Sequence, residues 1–87
     1  MILSAEITLY PFQEDFKPPI KATIKRLQSF TNITVNSFAT ATVLMGEYDL
    51  VMDAIKETMA WSHQEFGRCV FIVKFLPGYE ALDSKDA

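Results

Sequence analysis

The stretch that most constrains the fold is residues 1–11, MILSAEITLYP, in which apolar and polar residues alternate. Successive side chains of a β-strand point to opposite faces of a sheet, so this pattern predicts a strand with two chemically different faces. The apolar face carries Leu3, Ala5, Ile7 and Leu9, and the polar face carries Ser4, Glu6, Thr8 and Tyr10. A face turned only to water more often carries lysine, arginine, glutamine or glutamate. We therefore expect the polar face to hold a small ligand or to dock on another subunit.

The composition limits the chain to one small domain. Its 87 residues are 49% hydrophobic, which provides a core with apolar surface to spare and favours a homo-oligomer. The net charge of −3 argues against a protein that binds nucleic acid. No apolar run reaches the roughly 18 residues that span a bilayer, and the N-terminus lacks the continuous apolar block of a secretory signal. Because Cys69 is the only cysteine and has no internal disulfide partner, we expect a cytoplasmic location.

Strand and helix signals follow one another along the rest of the chain. The predicted elements are a helix over 20–30, strands over 33–36 and 39–45, a helix from an Asp49 N-cap to a Gly67 stop, and a strand over 68–76. With right-handed crossovers, this βαββαβ order predicts an α+β ferredoxin-like sandwich. Its four-stranded antiparallel sheet has the order 4-1-3-2, with two helices on one face. The domain is predicted to cover residues 1–78, and residues 79–87 a polar C-terminal tail.

This fold divides the strand side chains between a core under the helices and an open sheet face. The predicted core comprises Leu3, Ala5, Ile7, Leu9, Ala41, Val43, Phe71, Val73 and Phe75. The predicted open face comprises Ser4, Glu6, Thr8, Tyr10, Asn36, Thr40, Thr42, Val70, Ile72 and Lys74. A surface that mixes hydroxyls with exposed apolar side chains is usually covered, and a second copy of the sheet is one candidate cover.

Three segments resemble the thiamine-binding-protein-like family of the YkoF type. They are the opening strand Glu6–Pro11, the segment Asn36–Asp49 leading into the second helix, and the last strand Val70–Phe75. The resemblance runs from Ile2 to about Leu76 in the right order. It implies a ferredoxin-like domain that associates through its sheet. It also implies binding of thiamine or its hydroxymethylpyrimidine part without catalysis.

The resemblance and the polar face indicate the same candidate ligand site. An aminopyrimidine calls for a carboxylate or carbonyl, hydroxyls and an aromatic wall, and a thiazolium cation for a negative charge or a ring face. The candidate ligand-binding residues are Glu6, Thr8, Tyr10, Asn36, Ser37, Thr40 and Thr42. Two of them have simpler interpretations: Glu6 as an ion-pair partner of Lys74, and Tyr10 as an aromatic lid on the core.

The sequence leaves other functional classes open. One alternative is a structural oligomerisation module without a ligand, and another is a dimeric ferredoxin-like enzyme. We predict no catalytic residues, because no nucleophile has a visible base beside it. We predict no metal site either, because His63 has no second histidine or cysteine at ligand spacing. The expected function is therefore a non-enzymatic carrier or sensor, with no cofactor other than the ligand itself.

Overall fold

The computed structural model describes residues 1–82, and its elements follow the predicted order. The elements are β1 (Ile2–Pro11), α1 (Lys17–Gln28), β2 (Thr34–Ser37), β3 (Thr42–Glu47), α2 (Tyr48–Phe66) and β4 (Cys69–Pro77). The strands form one antiparallel sheet in the order β2-β3-β1-β4, which is the predicted order read from the other edge. The ferredoxin-like prediction is confirmed. Residues 83–87 of the predicted tail lie outside the described part of the chain.

Both helices begin slightly earlier than the sequence predicts. Prolines in its first turn suit the start of α1, because the first helical N–H groups need no acceptor within the helix. The N-cap of α2 is Glu47, so the predicted Asp49 cap is wrong. Asp49 lies instead in the first turn, where its carboxylate still favours the positive end of the helix dipole. Gly67 ends α2 as predicted, with a φ of 76° and its N–H donating to the His63 carbonyl.

The central strand β1 pairs over different lengths with its two neighbours. It pairs with β3 from Ile2 to Ile7 and with β4 from Leu3 to Pro11. Beyond Ile7, the β3 side of β1 therefore has no strand beside it. This unequal pairing creates a gap in the sheet next to Thr8 and Leu9, and the β2–β3 loop occupies the far side of that gap.

The core lies between the sheet and the two helices. Its buried apolar residues are Leu3, Ala5, Ile7, Leu27, Leu44, Val51, Ala54 and Ile55. The inward set predicted for β1 is confirmed at Leu3, Ala5 and Ile7, whereas Leu9 is only half-buried. Phe71 and Val73 pack against the same cluster.

The predicted orientation of β3 is wrong. Leu44 is opposite Ala5 and fully buried, so Thr42 shares its inward face and Val43 faces outward. Residues 39–45 carry apolar side chains at both parities, and no glycine marks the turn, so the alternation alone could not fix the register. Pairing with β1 fixes it by burying Leu44, a larger side chain than the predicted Ala41.

Phe75 also departs from the predicted core. It is opposite Ala5 on the helix side of the sheet, yet 45% of its surface is exposed. Because β4 is an edge strand with a neighbour on one side only, its inward side chains are less completely covered than those of β1.

The chain after β4 folds back over one end of the open sheet face. The Ser4 hydroxyl donates to the Tyr79 carbonyl and accepts from the Ala81 N–H at 2.9 Å. Ser4 is therefore on the predicted face but completely buried. The open face that remains accessible begins at Glu6.

The orientation of β3 can be tested with two truncations. Leu44→Ala should lower the free energy of unfolding by about 2–5 kcal/mol, because it leaves a cavity in the core. Val43→Ala, the matched control on the other face, should cost less than about 1 kcal/mol. Urea denaturation monitored by circular dichroism measures both. A larger loss for Val43→Ala would contradict the observed register.

A candidate ligand pocket beside the central strand

A pocket of about 120 Å³ lies where β1 extends past β3. Three parts of the chain form its walls. The end of β1 contributes Ile7, Thr8 and Leu9, and α1 contributes Ile20, Thr23, Ile24 and Leu27. The β2–β3 loop and the start of β3 contribute residues 38–42. The pocket thus lies between the helix layer and the sheet, at the gap left by the unequal pairing of β1.

Two hydrogen bonds hold the β2–β3 loop over this gap. The Phe38 N–H donates to the Ala41 carbonyl at 2.8 Å and closes the turn. The Thr8 hydroxyl donates to the Thr40 carbonyl at 3.3 Å, which ties the loop to the end of β1. Phe38 projects from the loop with 58% of its surface exposed and places an aromatic ring at the pocket.

Within residues 1–82, no charged side chain lines the pocket. Its walls consist of alkyl groups, the Phe38 ring and the hydroxyls of Thr8, Thr23, Thr40 and Thr42. A lining of this kind favours an uncharged, mostly flat group that makes a few hydrogen bonds.

Thr23 is the polar residue that sets this pocket apart. It is 2% exposed on the inner side of α1, and its Oγ1 atom has no hydrogen-bond partner within the described chain. A buried hydroxyl without a partner costs about 1–3 kcal/mol. The Thr42 hydroxyl differs, because it lies 3.2 Å from the Ser37 hydroxyl and shares a hydrogen bond with it. Thr23 therefore lines the pocket as a residue, while its unpartnered oxygen is covered by the surrounding chain.

The structure brings together some of the predicted site residues. Thr8, Thr40 and Thr42 all line the pocket. Ser37 lies behind Thr42, and the hydroxyls of these two residues share a hydrogen bond. Thr42 and Ser37 lie on the helix side of the sheet, so the predicted placement of Thr42 on the open face is wrong. The reversed orientation of β3 causes this error, because Ser37 and Thr42 pair with each other and Thr42 pairs with the inward-facing Ile7.

The other predicted site residues lie on the open face, apart from the pocket. Glu6 and Asn36 both face outward across Val43, and Tyr10 is exposed near the end of β1. The Glu6 carboxylate lies 3.9 Å from the Lys74 ammonium, a distance at the limit of an ion pair, and both side chains are substantially exposed. The pairing of Glu6 with Lys74, considered from the sequence, is thus present as a weak surface contact.

Sequence reasoning did not select Thr23. The signal was available, because Thr23 lies on the apolar stripe of α1, three residues after Ile20 and four before Leu27. A hydroxyl at such a position must be buried on folding. The stripe alone does not reveal that it borders a pocket, since this depends on how β1 and β3 pair.

The fold and the pocket define a small α+β domain with a neutral, hydroxyl-bearing cleft between its helix layer and its sheet. The sequence model of the YKOF-related Family matches residues 2–75, and the chain belongs to that family. No curated protein matches the chain at a significant level. Within residues 1–82, no helix combines the length and apolarity needed to cross a membrane.

Solved structures share the whole fold. A protein of Streptococcus pneumoniae is 27% identical with a TM-score of 0.84, and the match covers 99% of this chain and 96% of that one. A protein of Thermotoga maritima, named for a proposed role in thiamine biosynthesis or salvage, is 23% identical with a TM-score of 0.80. That match covers 93% of this chain and 86% of the other. At these identities, the structures establish the shared fold.

The unused hydroxyl of Thr23 leads to a stability prediction. Thr23→Val should raise the free energy of unfolding of the ligand-free protein by about 1–3 kcal/mol, because it removes a buried group without a hydrogen bond. Thr58→Val is the matched control: Thr58 is also buried with an unpartnered Oγ1, but it does not line the pocket. Thermal denaturation should show a gain for both variants. A loss for Thr23→Val alone would mean that its hydroxyl is already bonded in the folded chain.

Proposed function

We propose that this protein binds a small planar heterocycle of the thiamine type, either thiamine or hydroxymethylpyrimidine, and that it does so without catalysing a reaction. The observation that carries the proposal is the pocket without charged lining residues in the described chain, one of whose lining residues, Thr23, has a buried hydroxyl without a partner there. Membership of the YKOF-related Family and the thiamine-related name of the Thermotoga maritima relative favour this ligand class over other flat molecules.

The dimensions of the pocket suit one aromatic ring. A buried apolar cavity of about 150 Å³ accommodates a benzene molecule, and the pocket here is about 120 Å³ and open at its mouth. We therefore place the pyrimidine ring between α1 and the β2–β3 loop. A ring nitrogen or the exocyclic amino group would bond to the Thr23 hydroxyl, while the ring faces pack against Ile20 and Leu9.

The second ring of thiamine would then lie outside the pocket. Its thiazolium carries a positive charge, and none of the described residues that line the pocket is a carboxylate that could neutralise it. The exposed Phe38 ring at the pocket offers a cation–π contact instead, worth about 0.5–1 kcal/mol at an exposed site. The pyrimidine half should thus supply most of the affinity.

The proposal of binding without catalysis is supported by the chemistry of the pocket walls. Among the described lining residues, the polar side chains are threonines, and activating a hydroxyl as a nucleophile requires an adjacent base. The ligand is the one small molecule that the proposed function requires, with no further cofactor. We propose a cytoplasmic setting, where a free thiol such as Cys69 stays reduced.

Calorimetric titration with hydroxymethylpyrimidine and with thiamine tests the function. The wild-type protein should bind both, and Thr23→Val should bind hydroxymethylpyrimidine about tenfold more weakly, the equivalent of one lost hydrogen bond. Thr58→Val should bind as the wild type does. Glu6→Gln, on the open face, should also leave the affinity for hydroxymethylpyrimidine unchanged.

The possible outcomes separate the alternatives. Absence of heat with both ligands up to millimolar concentration would refute the proposed function. If Glu6→Gln loses binding and Thr23→Val retains it, the ligand binds on the open sheet face and not in the pocket. Turnover of either ligand would show an enzyme instead of a carrier.

We also propose that copies of the chain associate through the open sheet face, as a dimer or a tetramer. Ile72 and Val70 on this face are 50% and 38% exposed, and Val43 extends the apolar surface across β1. An apolar patch of this kind on a small domain marks an interaction surface. An apolar patch can pack against the same patch of a second copy, as a two-fold contact between identical chains requires.

A charge placed on this face should dissociate the oligomer. Ile72→Asp is expected to yield monomers in light scattering. Each chain of a dimer would bury one carboxylate against the apolar surface of its partner, with no ion pair or hydrogen bond to offset the loss of water. Met52→Asp places the same charge on the exposed side of α2 and should leave the mass unchanged. A wild-type protein that is monomeric, or an Ile72→Asp variant that keeps its oligomeric mass, would contradict an interface at this position.

A further inference from the structure

The backbone of β1 makes its hydrogen bonds to the two neighbouring strands in alternation. Just past the end of β1, the Phe12 N–H donates to the Arg68 carbonyl, so the even-numbered residues of β1 bond toward β4. At its start, the Tyr48 N–H donates to the Met1 carbonyl at 2.9 Å, so the odd-numbered residues bond toward β3. Both pairings keep a constant register. The N–H and C=O groups of Leu9 therefore point to the β3 side of β1.

Leu9 is the residue at which this alternation loses its partner strand. Pairing with β3 ends at Ile7, and the same register would place Thr40 opposite Leu9. Thr40 lies in the β2–β3 loop, however, and its carbonyl accepts a hydrogen bond from the Thr8 hydroxyl. The loops and side chains of residues 1–82 make no hydrogen bond to the Leu9 N–H or C=O. Pro11, the next residue with the same orientation, has no N–H to offer.

These two backbone groups point toward the pocket beside β1. Leu9 lines that pocket, which lies on the β3 side of the strand, between β1, α1 and residues 38–42. Thr8 follows the inward-facing Ile7, so its hydrogen bond to Thr40 crosses the gap on the open-face side. The helix α1 borders the other side. A backbone donor and acceptor in such a position need water or a ligand as their partner.

The N–H and C=O of one extended residue lie side by side and present one donor next to one acceptor. In an antiparallel sheet, the residue opposite completes both bonds with its own C=O and N–H. A ligand completes them equally well if it carries an acceptor next to a donor. An aromatic ring nitrogen beside an amino-bearing carbon has this arrangement, and hydroxymethylpyrimidine contains it.

We infer that the Leu9 main chain recognises the aminopyrimidine edge of the ligand: its N–H donates to a ring nitrogen, and its C=O accepts from the neighbouring amino group. This inference rests on the proposed function, because it concerns the same ligand in the same pocket. The second ring nitrogen remains for the proposed bond to Thr23. The pocket then selects amino-bearing pyrimidines over rings of equal size that lack the amino group.

Amide hydrogen exchange of the ligand-free protein tests the unpaired backbone by itself. Nuclear magnetic resonance of an isotope-labelled sample measures each amide separately. The Leu9 N–H should exchange faster than those of Ile7 and Thr8, which bond to β3 and β4 respectively. Equal protection of Leu9 and its two neighbours would overturn the inference, whether or not the protein binds a pyrimidine.

Replacing the Leu9 amide by an ester tests recognition, since it removes the N–H and keeps the side chain. Leucic acid, the hydroxy acid that corresponds to leucine, is introduced at this position by stop-codon suppression in cell-free translation. In calorimetric titration, the ester should bind hydroxymethylpyrimidine about tenfold more weakly, the equivalent of one lost hydrogen bond.

The matched control is the same ester replacement at Val35. Because the Phe38 N–H donates to the Ala41 carbonyl in register with the β2–β3 pairing, the N–H of Val35 points to the outer edge of β2. Val35 does not line the pocket. Its ester should therefore bind hydroxymethylpyrimidine as the wild type does, and far-ultraviolet circular dichroism confirms the fold of both esters.

A ligand analogue tests the Leu9 carbonyl. Hydroxymethylpyrimidine without its amino group should bind the wild type about tenfold more weakly, because the carbonyl loses its donor. Wild-type affinity in the Leu9 ester, or equal affinity for the two pyrimidines, would overturn the inference and leave the proposed function intact. Failure of the wild type to bind hydroxymethylpyrimidine at all would refute the proposed function, and this inference with it.

Discussion

The structure depends on the unequal pairing of the central strand β1 with its two neighbours. Pairing with β3 stops at Ile7 and pairing with β4 continues to Pro11. The register between β1 and β3 determines which side chains of β3 are buried. The point where this pairing stops determines where the gap in the sheet begins. The pocket beside β1 is therefore a consequence of strand lengths and not of any unusual residue.

The sequence predicts the topology correctly, and the alternating pattern of β1 is the main reason. Residues 3–10 alternate without exception, so only one orientation of β1 buries its apolar side. The β3 segment lacks this property, because Ala41, Val43 and Met45 compete with Leu44 for the interior. Its orientation is decided by a partner strand some forty residues away in sequence. Local patterns contain no information about such a distant contact.

The same limit explains which part of the candidate site could be predicted. Thr8 and Thr40 were selected because hydroxyls recur along the strands, and the structure joins them through the loop. Thr23 required knowledge of where α1 packs. The burial of Ser4 required knowledge that the chain after β4 returns across the sheet. Long-range packing thus accounts for each of these differences.

The returning segment also limits the geometry of any assembly built on the open face. Because Tyr79 and Ala81 occupy the end of the sheet near Ser4, a neighbouring copy can approach only over the half that runs from Glu6 toward Tyr10. Two such copies related by a dyad must overlap with an offset, so that their covered ends project in opposite directions. The footprint of the contact is then about half a sheet, and the projecting ends carry Tyr79 and Ala81 away from the dyad axis.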